Sequence, residues 1–260
     1  MVAPSREPAG GAFELREPCM CGRYSITTDP EAIRRLFGVD TLLNLMPRWN
    51  VAPTQEVPVI RRGDRDAGRA AARELHIMRW GLVPSWAKDI GIGARMINAR
   101  AETVNEKPAF RGAFRYRRCL VPADGFYEWT TEAGRKQPWR IVRRDRAPFA
   151  FAGLWELWEG TGEGSALETF SIVTTEANEA IRDIHHRMPV MLFEDSQFEA
   201  WLSADPKQAA PLMRPCDPAA IEAYRVDPKV GNVRNDDPSL AEPLAAPPPR
   251  PAAPAQGSLL

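Results

Sequence analysis

The chain has 260 residues, 44% of them hydrophobic, and a formal net charge of zero. That is enough apolar material for one large domain or two small ones, and it gives no bulk basic field of the kind a general nucleic-acid binder carries. No apolar run reaches membrane-spanning length and none in the first 19 residues suits a signal peptide. The four cysteines, Cys19, Cys21, Cys119 and Cys216, form no CxxC pair or framework spacing, which argues against a zinc ribbon, a thioredoxin motif or a disulfide scaffold. A reduced, cytoplasmic protein is expected.

In chain order, residues 1–19 are rich in Pro, Gly, Ala and Glu without apolar periodicity and read as disordered or as lying before the true start. Asp29-Pro30 supplies an N-cap and first-turn proline for a helix through Phe37. Strand-like runs follow at 57–61, 75–80, 119–122, 139–142, 149–155 and 170–174, with hairpin tips expected at Gly63–Gly68 and Glu159–Gly164. Thr175 is placed to cap a second helix with a stripe of Ala177, Ala180, Ile181 and Ile184; a third is expected from about Ser196 to Leu202. Residues 244–260 form a Pro/Ala-rich tail that cannot build a core and read as disordered. Strands and helices do not alternate, so the expected fold is α+β: one domain over 20–243, mainly antiparallel sheet with a few peripheral helices.

Charge is uneven locally. Only five of the 34 basic residues are Lys, the rest Arg, and Arg95–Arg118 sets Arg95, Arg100, Lys107, Arg111, Arg115, Arg117 and Arg118 against Glu102 and Glu106. Such a strip suits phosphate, or is a solvated face.

Four segments carry polar residues with chemical potential. Met20-Cys21 looks like a start followed by cysteine. A cysteine with a free α-amine is a 1,2-aminothiol: its amine condenses with an aldehyde to an imine, and its thiolate then closes a five-membered thiazolidine. The α-amine, with a pKa near roughly 8, is partly unprotonated at neutral pH. Asn98 in Asn98-Ala-Arg100-Ala-Glu102-Thr103 either caps a helix over 99–104 or holds a sugar or carbonyl oxygen, with Arg100 reaching a phosphate. Glu128 lies between Tyr127 and Trp129; strand alternation favours a solvated carboxylate, whereas enclosure among aromatic rings would raise its pKa into the range of a proton shuttle. His185 and His186 follow the expected second helix, whose dipole would stabilise the cation and suit acid–base work. Adjacent histidines do not readily share one ion, so no metal site is expected.

Together the segments MCGRY, RWNVAP, WGLVPSWA, NARAET, CLVPADGFYEW, FAGLWE, HHRMPV and GNVRND, in this order from Met20 to about Pro243, resemble the SRAP (SOS response-associated peptidase) family, whose members crosslink to abasic sites in single-stranded DNA. The resemblance implies Cys21 as nucleophile toward the ring-opened sugar aldehyde, with Glu128 and His185 sharing proton transfers and Asn98 orienting Cys21 or the sugar. It implies Arg23, Arg100 and Arg187 at phosphates, and Pro53 and Trp86 against bases beside the lesion. No cofactor, single-stranded DNA as partner and a place at damaged DNA follow from it; a monomer is expected because nothing in the sequence suggests an obligate dimer. Closure by the thiol would divert the imine from β-elimination and strand scission.

The chain departs from the family pattern in three places. Residues 1–19 would leave Cys21 with an amide instead of an amine; initiation at Met20 with removal of that Met is the first expectation, autoproteolysis by a Cys21/His185 pair the second, and an inactive extended chain the third. Ala87 stands where some relatives have a second Trp, which would weaken stacking, and His186 where an Asp is common. Two other readings stay open: a thiol peptidase acting on protein, and a non-covalent single-stranded DNA binder.

Overall fold

A computed structural model describes residues 21–40, 45–63, 72–160, 166–203 and 205–245. The expected disorder of residues 1–19 lies outside the described residues, as does that of 246–260; Leu244 is tied to the domain by its N–H donating to the Arg225 carbonyl at 2.8 Å.

Two sheets form the body. The first has five antiparallel strands in the order β13 (Ile221–Arg225), β8 (Arg135–Arg143), β7 (Gly125–Glu132), β1 (Tyr24–Ile26) and β2 (Arg48–Val51). The second runs β11 (Arg187–Pro189), β10 (Leu167–Glu176), β4 (Arg73–Trp80), β3 (Glu56–Arg62), β6 (Arg118–Ala123), β9 (Phe149–Trp158) and β12 (Met191–Leu192), with β5 (Asn98–Arg100) also on β10. Because β9 pairs back onto β10, strands β10, β4, β3, β6 and β9 close into a ring, which removes the open edges a flat sheet would leave. All six strand-like runs are strands. The two hairpin expectations agree with antiparallel β3–β4 and β9–β10, although 64–71 and 161–165 lie outside the described residues. The sheet is not wholly antiparallel: β4 and β5 follow one another along one edge of β10, both parallel to it.

The sheets meet through aromatic rings. Tyr24 of β1 meets Trp80 of β4 edge-on at 5.3 Å and Phe151 of β9 at 5.7 Å, and Phe126 of β7 meets Phe151 at 6.0 Å. The opposite face of β7 is covered too, where Tyr127 packs with Val226, Val230 and Leu240 of the C-terminal segment. Helix α1 (Pro30–Phe37) starts on Asp29, whose carboxylate accepts from the N–H groups of Glu31 and Ala32, and stops at Gly38 with φ +62. Helix α2 (Arg111–Tyr116) precedes β6. Helix α3 (Asp195–Leu202) buries Phe198, Trp201 and Leu202 and docks on β6, the Trp201 indole N–H donating to the Cys119 carbonyl at 2.9 Å. A short α4 (Pro206–Ala209) follows.

One expected helix is absent, and so is the helix that one of the two readings of Asn98 required. After β5, residues 101–110 run as turns, so Asn98 caps nothing and instead pairs with Ile172 inside the second sheet. Thr175 remains in β10, and residues 179–184 make only turns, opened by the Asn178 side chain accepting from the Ala180 N–H at 3.1 Å. Val173–Thr175 is β-branched and strand-forming throughout, and pairing with β5 and β11 outweighs the helical stripe behind it. No helix among the described residues is long and apolar enough to cross a membrane.

Candidate active site

Strand β1 is short, and side chains from distant segments fix its position. The Asp124 carboxylate, at the corner between β6 and β7, accepts from the Ser25 hydroxyl at 2.6 Å, from the N–H and hydroxyl groups of Thr27 and Thr28, and from Arg140 at 3.2 Å. On the other side, the Arg23 guanidinium donates to Asn50 Oδ1 at 2.8 Å and to the carbonyls of Val230 and Gly231 at 2.7 and 3.1 Å. The Asn50 amide nitrogen donates in turn to the carbonyls of Val230, Asn232 and Asn235, and Asp236 accepts from the N–H groups of Trp49 and Asn50. The RWN and GNVRND segments thus form one clamp beside β1.

The register Tyr24↔Phe126, continued toward the N-terminus, carries Cys21 past Glu128. The Cys21 N–H donates to Glu128 Oε1 at 2.9 Å, and the thiol also bonds the carboxylate. Both residues are 3% exposed. Burial raises the Glu128 carboxyl to about 7, against the lowering by the Cys21 thiol and N–H. The solvated reading of Glu128 is therefore corrected. Glu128 shares a face of β7 with Phe126, whose ring packs against the second sheet, while Tyr127 and its neighbours cover the other face; with both faces covered, alternation no longer separates core from solvent.

A second group gathers where β5, β10 and β11 run side by side. Asn98 lies opposite Ile172 and Arg100 opposite Thr174 on one edge of β10, while Arg187 of β11 lies opposite Glu176 on the other. Arg187 is 7% exposed and is held by Glu102 through two bonds at 2.6 and 2.9 Å and by the Thr174 carbonyl at 2.7 Å. Arg100, Arg182, His186 and Arg187 line an open groove with Glu176 and Asp183. With no helix before it, His185 has no macrodipole behind it. Its Nδ1 instead lies 3.1 Å from the Arg187 N–H and 3.2 Å from the Arg187 carbonyl, so the same nitrogen can accept or donate, and its ring stacks on His186 at 4.6 Å. The core joins the two groups: Tyr24 packs on Trp80, whose indole N–H donates to the carbonyl of Ile97, next to Asn98, at 2.9 Å.

The remaining residues lie on loops. Pro53 is half-buried beside Thr54, whose N–H donates to the Trp80 carbonyl. Trp86 is 60% exposed. Ala87 is turned inward with Val83 and Trp158, so its difference from relatives bears on packing beneath Trp86. The basic strip divides: Arg118 donates inward to the Trp201 and Phe114 carbonyls and Arg117 pairs with Glu156, while Arg95, Arg100, Lys107, Arg111 and Arg115 are exposed. Among the described residues no group of three His, Cys, Asp or Glu side chains could hold a metal ion. A separate recess lined by Met191, Phe193, Leu212, Pro215, Cys216 and Pro218 contains none of these residues.

Sequence reading missed Asp124, which looked like a turn residue, and Asn50, Asp236 and Glu102, which it counted only within motifs or as charge. The signal was present in the motifs RWN and GNVRND, but the pairing between them, roughly 180 residues apart, needed the fold.

A ring of strands capped by a second sheet, with a buried cysteine whose main-chain nitrogen rests on a buried carboxylate, defines an α+β protein of mainly antiparallel sheet with a few short helices. The chain belongs to the SOS response associated peptidase (SRAP) family, whose model matches residues 20–233. It is 42% identical over 231 residues to the abasic site processing protein YoqW of Bacillus subtilis, covering 86% of this chain and 99% of that one. It is 32% identical over 262 residues to the abasic site processing protein HMCES of Gallus gallus, covering 90% and 75%. A crystal structure of a protein from Bacteroides thetaiotaomicron superposes with a TM-score of 0.75 at 28% identity, covering 86% of this chain and all of that one.

Proposed function

We propose that this protein processes abasic sites in single-stranded DNA by forming a covalent thiazolidine crosslink through Cys21. The observation that carries the reading is the Cys21 nitrogen resting 2.9 Å from the buried Glu128 carboxylate. The reaction needs a free α-amine, so the Met20–Cys21 peptide bond is absent from the active form. The amine adds to C1′ of the ring-opened sugar, giving a carbinolamine. Glu128 takes up a proton from the attacking nitrogen and delivers one to the departing hydroxyl, releasing one water and leaving the imine. The Cys21 thiolate adds to the imine carbon and the nitrogen is protonated, closing the ring with no further loss of atoms. A buried carboxyl beside the amine is placed both to accept and to donate the proton, and such help is worth about 10²–10⁴ in rate. His185 shares these transfers and Asn98 orients Cys21 or the sugar; Arg23, Arg100 and Arg187 meet phosphates, while Pro53 and Trp86 meet bases. The protein acts as a monomer, in the cytoplasm at damaged DNA.

Autoproteolysis is a second reading favoured by one observation: Cys21, the residue after the bond to be broken, has φ +42, a left-handed backbone strained for cysteine. Attack of the thiol on the Met20 carbonyl carbon would expel the Cys21 nitrogen, with Glu128 placed to protonate it, and water would hydrolyse the resulting thioester.

Denaturing intact mass after incubation with a single-stranded oligonucleotide bearing one abasic site tests both. The expected product is a chain beginning at Cys21 plus the oligonucleotide less one water. A chain beginning at Cys21 that gains no mass contradicts the crosslinking reading, and activity of that chain on peptides would favour a protein-directed thiol peptidase.

A further inference from the structure

We infer that Glu102 is a specificity-determining residue that occupies Arg187 in the manner of a phosphate and so restrains the protein from holding lesion-free DNA. This rests on the proposed DNA-directed function and deepens it. The two Glu102 oxygens take one N–H from each terminal nitrogen of Arg187, the fork geometry by which a guanidinium also grips a phosphate. The side chains differ in access: that of Arg187 is 9% exposed and that of Glu102 46%. The carboxylate is therefore the partner that can swing aside, and the guanidinium the one that stays.

Arg187 has a second tie to keep it in place, its bond to the Thr174 carbonyl at 2.7 Å. That carbonyl also accepts from the Ala101 N–H at 2.9 Å, which fixes the backbone leading into Glu102. The Arg187 Nε is buried without a hydrogen-bond partner, so Glu102 and Thr174 do not exhaust its donors. Arg100, across Thr174 from β11, also lies close enough to Glu102 to stabilise its charge. Glu102 thus offsets part of the charge of Arg100 and Arg187, the two cations assigned to phosphate, in a groove that Glu176 and Asp183 also line. A strand entering here must displace Glu102 from Arg187 or bind in its field. Either weakens capture of an intact strand, whereas a lesion-bearing strand is retained by the covalent bond at Cys21. Search stays reversible and capture does not.

The test is fluorescence anisotropy of a labelled, intact oligothymidylate across a salt series, comparing the unaltered protein, Glu102→Gln, Arg187→Gln and the double variant. Glutamine keeps the shape of Glu102 and one acceptor but removes the charge. Glu102→Gln should bind intact strand roughly three- to ten-fold more tightly near 0.1 M salt, with the slope of log K against log salt steeper by about 0.7, one more phosphate neutralised. In the double variant this gain should vanish. Weaker or unchanged binding by Glu102→Gln would overturn the inference and leave Glu102 a scaffold for Arg187, as would a gain that persists without Arg187. Crosslinking to an abasic oligonucleotide is measured in parallel on the unaltered protein: its absence beside an intact charge effect would sink the crosslinking reading alone, and its presence without the charge effect would sink this inference alone.

Discussion

Two carboxylates of this protein each meet nitrogen, and their surroundings make them opposites. Glu128 is 3% exposed and its partners are the thiol and N–H of Cys21, so burial raises its pKa to about 7. The Glu102 side chain is 46% exposed and gripped by a guanidinium, and the bonds from Arg187 hold its carboxyl below the ordinary range. Withholding a cation from a buried acid raises its pKa; supplying one lowers it. The first sheet holds the group suited to bond-making, and the β5–β10–β11 corner holds the group suited to sorting charge.

Substitutions that act on one region and spare the other should sharpen that contrast. Cys21→Ala should eliminate the denaturation-resistant DNA adduct altogether while leaving retention of intact strand in native gels unchanged. Glu128→Gln should slow adduct formation by roughly 10²-fold in single-turnover assays. It should also flatten the dependence of stability on pH. In the chain whose Cys21 still carries its peptide bond, the Glu128 pKa is raised from 4.5 to about 7. Its contribution is fully present below about 4.5 and is lost as pH rises through about 7, a loss of roughly 3 kcal/mol; urea melts of the unaltered chain should show that loss and those of Glu128→Gln should not. Asp124→Asn places an amide N–H₂ among the donors of Ser25, Thr27, Thr28 and Arg140. It should cost about 3 kcal/mol of stability, read as a fall in Tm, and slow the adduct by loosening β1. Trp86→Ala should be mildest for the fold, because the ring is 60% exposed, yet lower affinity for single-stranded DNA by roughly 1–3 kcal/mol if a base stacks there.

The strands were legible because β-branched and aromatic runs bounded by Gly-rich turns need little tertiary information, and α1 because Asp29-Pro30 and Gly38 punctuate it locally. The helix expected from Thr175 failed for the converse reason: its stripe was real, but β10 gains β11 as a neighbour by continuing through Thr175 to Glu176. The second sheet's parallel pairs joined segments whose order along β10 no local pattern encodes. Of the residues proposed for the site, the motifs marked Cys21, Asn98, Glu128 and His185. The burial of Glu128 was hidden because β7 is covered on both faces, and the neutralisation of Arg187 because Glu102 lies 85 residues away in sequence.

The partnership of Cys21 and Glu128 is tested most directly by the pH dependence of the single-turnover crosslinking rate, measured on a chain beginning at Cys21 with saturating abasic oligonucleotide. The expected result is a profile with one limb set by Glu128 and one by the α-amine, of which only the limb of the α-amine remains in Glu128→Gln. Superimposable profiles at equal rates would contradict it, and would mean that the carboxylate beside Cys21 takes no part in moving protons.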